Sequence, residues 1–163
     1  MAPLMHIGER RTVLRLLTNG VYVITARSGG RCGAATITWV SQASFRPPLL
    51  MAAIRKESNV LACLRESGVA ALHVLGRGQQ EMARLFFAPT AAAPGAINGE
   101  PVGEGRTGAP VLERAPAYVE CVTRLVLDEP GDHALVILEV VEAVQREPVE
   151  PLTLAATPWE YGG

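Results

Sequence analysis

The feature that most constrains the fold is a pair of apolar runs joined by a short turn, and the chain contains two such pairs. Residues 21–27 and 32–39 (VYVITAR and CGAATITW) flank the glycine turn SGGR, while residues 117–127 and 133–144 flank the turn DEPGD. Turns this short connect antiparallel strands, because parallel neighbours require a long crossover. The sequence therefore predicts a mainly antiparallel β fold.

Two further apolar runs and a proline pair define the rest of the sheet. Residues 49–54 (LLMAAI) and 69–75 (VAALHVL) predict two more strands, and the first is expected to be covered on both faces because it is apolar throughout. Residues 40–48 end in Pro47-Pro48 and predict a connector. About six strands with short helices predict a closed antiparallel barrel with helices over its gaps. A parallel α/β sheet fits less well, because strand–helix–strand units are few.

Apolar residues at helical spacing predict three short helices. The first covers residues 10–20, with a stripe of Val13, Leu16 and Leu17 and a stop at Gly20. The second carries Val60, Leu61 and Leu64 and ends at Gly68, and the third covers residues 79–87 with Met82, Leu85 and Phe86. Ser58 or Asn59 is expected to cap the second helix. Residues 88–110 are rich in Pro, Gly and Ala and predict a long irregular excursion. One domain is expected to cover residues 1–163.

Composition restricts the class of protein and of partner. Hydrophobic residues make up 48% of the 163 residues and charged residues 19%, and the formal net charge is -1. These values are typical of a globular chain and argue against nucleic acid or an anionic membrane surface as the main partner. No apolar run approaches membrane-spanning length, and residues 1–20 lack the apolar stretch of a signal peptide. A cytoplasmic location is therefore expected.

The cysteine, histidine and glycine motifs point to no metal or dinucleotide site. Cys32, Cys63 and Cys121 form no CxxC pattern and the three histidines share no ligand spacing, so reduced thiols and no metal are expected. Residues 103–108 match GxGxxG, but the dinucleotide fingerprint needs a strand before it and a helix after it. Here the motif lies in a proline-rich loop, so we assign it no nucleotide-binding role.

The strongest candidate for a binding site is the charged corner between the strand at 49–54 and the helix after it. Arg55 and Lys56, the one lysine of the chain, are followed by Ser58 and Asn59. A helix start offers free backbone N–H groups and the positive end of the helix dipole, and the side chains add a hydroxyl and two cations. This combination predicts a phosphate site. The alternative is a solvated turn in which Ser58 serves only as the helix cap.

Blocks of sequence along nearly the whole chain resemble the flavin reductase family, the FMN-binding split barrels that reduce flavin with NAD(P)H. In order they are GVYVITA (20–26), GAATITWVSQASFRPPLL (33–50), IRKESNV (54–60), GVAALHVL (68–75), LFF (85–87), GAPVLERAPAYVEC (108–121) and GDHALVILEV (131–140). The resemblance implies a six-stranded antiparallel Greek-key split barrel, mainly β with short helices. It also implies a homodimer with FMN, or FAD as the alternative flavin, near the interface. NAD(P)H is the implied co-substrate and a flavin-dependent monooxygenase the implied partner.

The resemblance also assigns roles to individual residues. His133, in the turn Gly131-Asp132-His133, is expected to face the nicotinamide side as the catalytic residue, whereas the flavin is expected to contact two groups. The residues expected to contact the flavin ring and the ribityl chain are Ala35, Thr36, Ile37, Thr38, Trp39, Ser41 and Ser44. The residues expected to contact the phosphate are Ala53, Ile54, Arg55, Lys56, Ser58 and Asn59.

Two other functions and several purely structural roles remain open from the sequence. The competing function is a non-enzymatic FMN-binding electron carrier or flavin-dependent sensor, and a weaker third is a heme-binding or pyridoxamine-phosphate-oxidase-like barrel. Trp39 is also explained by core packing, and His133 by the start of a strand. Trp159 and Tyr161 are expected to pack on a partner subunit.

Overall fold

The computed structural model describes residues 5–163, so residues 1–4 of the predicted domain lie outside the described part. Seven strands form the main antiparallel sheet: β1 Tyr22–Ser28, β2 Arg31–Ile37, β3 Val40–Ser44, β4 Leu49–Arg55, β5 Val69–Val74, β10 Ala117–Leu127 and β11 His133–Gln145. Four shorter strands form a second sheet: β6 Ala92–Ala93, β7 Ala96–Ile97, β8 Glu100–Glu104 and β9 Pro110–Leu112. The helices are α1 Ile7–Leu14, α2 Asn59–Ser67 and α3 Gln80–Leu85, with a 3-10 turn at Leu154–Ala156.

Both predicted hairpins are confirmed, and the strand order follows from them. β1 pairs with β2 and β10 with β11, all antiparallel, in the order β2-β1-β5-β10-β11-β4-β3. The expected six-stranded sheet is wrong by one strand, because residues 40–44 of the predicted connector form β3. This strand pairs only with β4, and the two prolines follow it in the turn. Closure of the sheet into a Greek-key barrel stays a prediction.

The region predicted to be irregular contains the second sheet. Asn98 and Gly99 have φ values of 49° and 83°, and Gly95 has a φ of 71°. Positive φ at two successive residues is the conformation of a type I′ hairpin turn, for which Asn-Gly is a preferred pair. This turn joins β7 to β8 and gives the excursion its short antiparallel ladder.

Two buried polar side chains join the second sheet to the main one. His73 of β5 is fully buried, and its Nδ1 lies 2.9 Å from the Val23 carbonyl while its Nε2 accepts from the Leu112 N–H at 3.0 Å. Glu120 of β10 is also fully buried and accepts from the Thr107 N–H and hydroxyl at 2.9 and 2.6 Å. Burial acts to raise the pKa of Glu120, but these hydrogen bonds lower it below its ordinary value.

One of the hydrophobic core clusters lies between the main sheet and α2, whose cap and end match the prediction, and a second packs α3 and β9 against β1 and β2. Ser58 Oγ accepts from the Leu61 N–H at 3.3 Å, and Gly68 ends the helix with a φ of 72°. Val60, Leu61, Cys63 and Leu64 form its buried stripe. Full burial of one leucine side chain contributes roughly 1.5–3 kcal/mol, so α2 is held mainly by packing.

Three other expectations are wrong. The first helix covers Ile7–Leu14 and buries none of its residues, and Leu16 and Leu17 follow it in an exposed turn. The strand at 49–54 is covered on one face only, because Ala52 and Ile54 are buried whereas Met51, on the opposite face, is 47% exposed. In α3, Leu85 is exposed while Met82 and Phe86 are buried. In each case apolar composition alone did not determine which side faces the core.

Candidate functional site

A cleft of about 700 Å³ lies where β2, the end of β4 and the start of α2 meet. Its volume falls in the range of roughly 300–1,000 Å³ that is usual for small-molecule sites. Two segments complete its wall, one directly after α3 (residues 86–90) and one near the carboxyl end (residues 159–161). The cleft therefore joins parts of the chain that are far apart in sequence.

Most of the residues expected to bind flavin line this cleft, together with His133, which was expected to face the nicotinamide. They are Ala35, Thr36, Ile37, Thr38 and Trp39 from β2 and its end, Ala53, Ile54 and Arg55 from β4, Ser58 and Asn59 from the start of α2, and His133 from β11. Three expected residues do not line it. Ser41 is exposed on β3 and donates to the Gln42 carbonyl at 3.0 Å, Ser44 ends the same edge strand, and Lys56 points elsewhere.

The side chain of Lys56 lies near the turn between β10 and β11. Arg65 lowers the pKa of Asp128 by a direct hydrogen bond, and the positive charge of Lys56 adds to that effect. The Lys56 N–H also donates to the Asp132 carbonyl at 3.4 Å. Arg55, its neighbour, is the cation that lines the cleft. A phosphate role for Lys56 stays a prediction.

The cleft depends on a close approach between β2 and α2 at Gly33. A Cβ atom at this position would lie 2.4 Å from Val60 Cα and 2.5 Å from Val60 N. Only a residue without a side chain lets the first turn of α2 lie this close to the strand. The first-turn N–H groups of a helix have no intrahelical acceptor, so this contact places Asn59 and its neighbours as donors beside β2. Gly33 was not among the site residues predicted from the sequence.

Two threonines of the β2 region have different environments. Thr36 Oγ1 donates to the Ala83 carbonyl at 2.6 Å, and the Phe86 carbonyl accepts from the Thr36 N–H at 3.3 Å. These bonds hold the end of α3 against β2. Thr38 is only 8% exposed, and its hydroxyl has no hydrogen-bond partner within residues 5–163. A buried hydroxyl without a partner is costly, so a ligand in the cleft is its natural partner.

One end of the cleft is aromatic. The Trp39 ring lies 4.7 Å from the His133 ring and 4.9 Å from the Tyr161 ring, measured between centroids. His133 Nδ1 is 2.7 Å from Asp132 Oδ1, and its Nε2 is 2.7 Å from the Tyr161 hydroxyl. The hydrogen bond to His133 lowers the pKa of Asp132, and burial raises the pKa of Tyr161.

Two aromatic residues near the carboxyl end contact side chains of their own chain. Trp159 packs edge-on against Phe87 at 4.8 Å between centroids, and Tyr161 contacts Trp39 and His133 of its own chain. Tyr161 nevertheless remains 38% exposed, so the packing of these residues on a partner subunit stays a prediction. Their aromatic character was the signal in the sequence that they could contact a ligand. Because they lie far from β2 along the chain, the sequence did not show that they line the same cleft.

The arrangement fits an elongated ligand with a planar ring and an anionic group. Apolar side chains along β2 and the aromatic end offer contacts to a flat ring. Arg55, Ser58 and the start of α2 offer a cation, a hydroxyl and N–H donors to an anion. Within residues 5–163 no cluster of His, Cys, Asp and Glu has the geometry of a metal site. None of the helices described is long and apolar enough to cross a membrane.

Comparison with known proteins gives a consistent picture. A family model described as "Flavin reductase like domain" matches residues 14–158. The reductase component of a 4-nitrophenol 4-monooxygenase/4-nitrocatechol 2-monooxygenase from Rhodococcus opacus is 32% identical over 138 residues, which are 83% of this chain and 71% of that protein. Diflavin flavoprotein A 1 of Synechocystis sp. is 32% identical over 126 residues, or 76% of this chain. The chain spans only 22% of the length of that protein.

Among solved structures, the NADH:FAD oxidoreductase SgcE6 of Streptomyces globisporus C-1027 is similar over its full length. It superposes with a TM-score of 0.79 at 25% sequence identity and covers 99% of this chain and 98% of its own. The similarity therefore includes both sheets and the segments that wall the cleft.

Proposed function

Because the chain belongs to the flavin reductase family, we propose that it is an NAD(P)H-dependent flavin reductase that binds FMN in the cleft. The observation that carries this proposal is the buried Thr38 hydroxyl, which lines the cleft and has no partner among the described residues. Relatives named as a reductase component and as an NADH:FAD oxidoreductase support the class of reaction. FAD stays the alternative flavin, since one of these relatives is named for it.

The residues that line the cleft divide into three roles in this proposal. The β2 strand contacts the flat face of the flavin ring, and Thr38 supplies a hydroxyl to a polar atom of the ring. Arg55, Ser58 and Asn59 hold the phosphate. His133 and Trp39 position the nicotinamide ring of NAD(P)H. FMN, when bound, would supply the acceptor for hydride from the nicotinamide. The chain itself then has to orient two rings and exclude water, which requires no catalytic acid or nucleophile.

Anaerobic mixing with NADH or NADPH tests this function. We expect the absorption band of bound, oxidised FMN to bleach with at least one of the two nucleotides at a rate that saturates with nucleotide concentration. The competing function, a non-enzymatic electron carrier or sensor, predicts FMN binding without bleaching by either nucleotide. A protein that binds no flavin would contradict both functions.

The proposed phosphate site predicts that the adjacent cations Arg55 and Lys56 contribute differently to FMN affinity. Arg55→Ala is expected to weaken FMN binding by about 1.5–3 kcal/mol, because a charge-assisted bond to the phosphate is lost. Riboflavin lacks the phosphate, so its affinity is expected to change little. Lys56→Ala is the matched control and is expected to have the smaller effect on FMN, since its side chain does not line the cleft. Titration of each ligand by flavin fluorescence measures these affinities; equal weakening of FMN and riboflavin in Arg55→Ala would exclude the phosphate contact.

A homodimer is proposed from an apolar outer face of the main sheet. Met51, Leu125, Leu127 and Leu135 are each 44–48% exposed, and the register places Leu135 opposite both Leu127 and Ala53. Ala53 also lines the cleft, so a second copy on this face would adjoin the flavin. Sedimentation is expected to show a dimer at micromolar concentration, and Leu135→Glu is expected to produce monomers. A monomeric wild type with FMN bound would argue against the dimer.

The relatives also suggest where the electrons go. One relative is named the reductase component of a two-component monooxygenase, and transfer of reduced flavin to a separate monooxygenase is our proposal for this chain. Support would come from hydroxylation of an aromatic substrate in aerobic solution, where O₂ supplies the oxygen atom, when a monooxygenase, FMN, NAD(P)H and this protein are combined, with little product when this protein is omitted. A cytoplasmic location and closure of the barrel belong to the same proposal.

A further inference from the structure

Residues 158–163, which we call the strap, cross the aromatic end of the cleft. Trp159 packs against Phe87, and the Tyr161 ring lies 4.9 Å from the Trp39 ring. The Tyr161 hydroxyl is 2.7 Å from His133 Nε2. The strap therefore covers the part of the cleft where His133 lies.

The direction of the His133 hydrogen bonds follows from Asp132. An ionised carboxylate only accepts hydrogen bonds, so Nδ1 of His133 donates to Asp132 at 2.7 Å. In the neutral imidazole Nε2 is then the acceptor, and the Tyr161 hydroxyl donates to it. Tyr161 thus fills the one free hydrogen-bonding position of the imidazole, while its ring contacts the Trp39 ring.

Arginines on or just after α1 fasten the strap. Arg15 Nη1 pairs with Glu160 Oε2 at 2.7 Å and its Nε donates to the Gly162 carbonyl at 3.1 Å, while Arg10 donates to the Gly163 carbonyl at 3.1 Å. α1 buries none of its own residues. Exposed ion pairs and single hydrogen bonds each contribute little to stability. The strap is therefore a segment that opens at low cost.

We propose that Tyr161 is a built-in competitor of the nicotinamide, and that the strap must open before NAD(P)H can bind. This inference rests on the proposed function, in which His133 and Trp39 position the nicotinamide. A planar ring with a polar substituent needs the same two contacts that the Tyr161 ring and hydroxyl now make. The two rings cannot occupy that space together, so the closed strap reduces the apparent affinity for the nucleotide. Arg55 lies opposite His133 in the strand register and its charge reaches Tyr161, but the Tyr161 hydroxyl bonds His133 and the side chain carries no charge, so FMN affinity is expected to change little when Tyr161 is replaced.

Equilibrium binding of NAD⁺ to FMN-saturated protein tests the competition without turnover. Removing Tyr161 opens the site, so Tyr161→Ala is expected to lower the dissociation constant of NAD⁺ about 3- to 10-fold, and Tyr161→Phe, which keeps the ring, by a smaller factor of about two. The dissociation constant of FMN is expected to stay the same in both variants. Isothermal titration calorimetry provides both values.

A matched pair of glutamates tests the fastening. Glu160 and Glu150 have nearly equal exposure, 69% and 70%, and each pairs with an arginine, at 2.7 and 2.8 Å. Glu160→Gln is expected to tighten NAD⁺ binding about twofold, while Glu150→Gln, which lies outside the cleft lining, leaves it unchanged. Chymotrypsin supplies a second readout, since NAD⁺ is expected to speed cleavage after Tyr161 in the wild type.

The outcomes separate this inference from the proposed function. NAD⁺ affinity that is equal or weaker in Tyr161→Ala, or protection of Tyr161 from chymotrypsin by NAD⁺, would overturn the strap and leave the flavin reductase function intact. Binding of neither NAD⁺ nor NADP⁺ to the wild type or to any variant would overturn both. Tighter NAD⁺ binding in Tyr161→Ala and Glu160→Gln, with FMN affinity unchanged, establishes Tyr161 as the competitor.

Discussion

Gly33→Ala is expected to destabilise the protein by about 3 kcal/mol and to weaken FMN binding at least tenfold. Overpacking a well-packed site costs typically 1–3 kcal/mol, and here the added Cβ would lie 2.4 Å from Val60 Cα, a backbone atom that cannot rotate away. Either β2 or the first turn of α2 has to move. Because β2 supplies the wall for the flavin ring and α2 the donors for its phosphate, movement of either element changes the site as well as the stability.

Gly30→Ala is the matched control for this substitution. Gly30 lies in the turn before β2, and a Cβ there has no atom within 4 Å. Its effect on the free energy of unfolding is expected to stay within about 0.5 kcal/mol. Urea denaturation and FMN titration of the two variants measure both effects. If Gly33→Ala were as stable as Gly30→Ala and bound FMN normally, the close approach of β2 and α2 would not define the site.

The parts of the fold that could be predicted from sequence are those fixed by local chemistry. Short turns fixed both hairpins of the main sheet, and Ser58 and Gly68 marked the ends of α2. Elements defined by tertiary contacts were missed. β3 is an edge strand with few apolar residues, and its pairing with β4 outweighs the influence of the prolines that follow it. The pair Asn98-Gly99 is a local signal for a hairpin turn. The strands on either side of it are very short and lie among Pro and Ala residues, so the sequence did not predict them.

The candidate site shows the same division. Residues 35–39 form one continuous stretch of sequence and residues 54–59 form another, so each could be recognised locally. The structure brings most of the residues of both stretches to one cleft. Which cation lines the cleft depends on side-chain direction, because successive side chains point to opposite sides as the strand ends. That distinguishes Arg55 from Lys56. Gly33 and Tyr161 shape the site through contacts with residues that are distant in sequence. No local sequence pattern therefore identifies them as site residues.

Stability is expected to fall by about 3 kcal/mol as pH decreases from above 6.5 to about 4, because of a single buried histidine. Burial lowers the pKa of His73 from 6.5 to about 4, and each unit corresponds to about 1.4 kcal/mol. Above pH 6.5 the imidazole is neutral in both the folded and the unfolded chain, so its pKa difference has no effect. Between pH 6.5 and 4 the unfolded chain binds a proton that the folded chain does not, so the free energy of unfolding decreases.

The hydrogen bonds of His73 explain why the folded state resists protonation. Its Nε2 accepts from the Leu112 N–H at 3.0 Å while Nδ1 faces the Val23 carbonyl, so a proton on Nε2 would leave two donors facing each other.

Replacing this histidine tests its role in the acid sensitivity. His73→Gln is expected to lose about 2 kcal/mol of stability at pH 7 through imperfect packing and hydrogen bonding, yet to lack the decline in stability between pH 6.5 and 4. The two stability curves, measured by urea denaturation at several pH values, should therefore meet at about pH 5, and His73→Gln should be the more stable protein by about 1 kcal/mol at pH 4. His6→Gln, at an exposed position, is the control that should decline like the wild type. If His73→Gln declined in parallel with the wild type, the acid sensitivity would come from carboxylates instead, and the link between β5 and β9 would not be the acid-sensitive part of the fold.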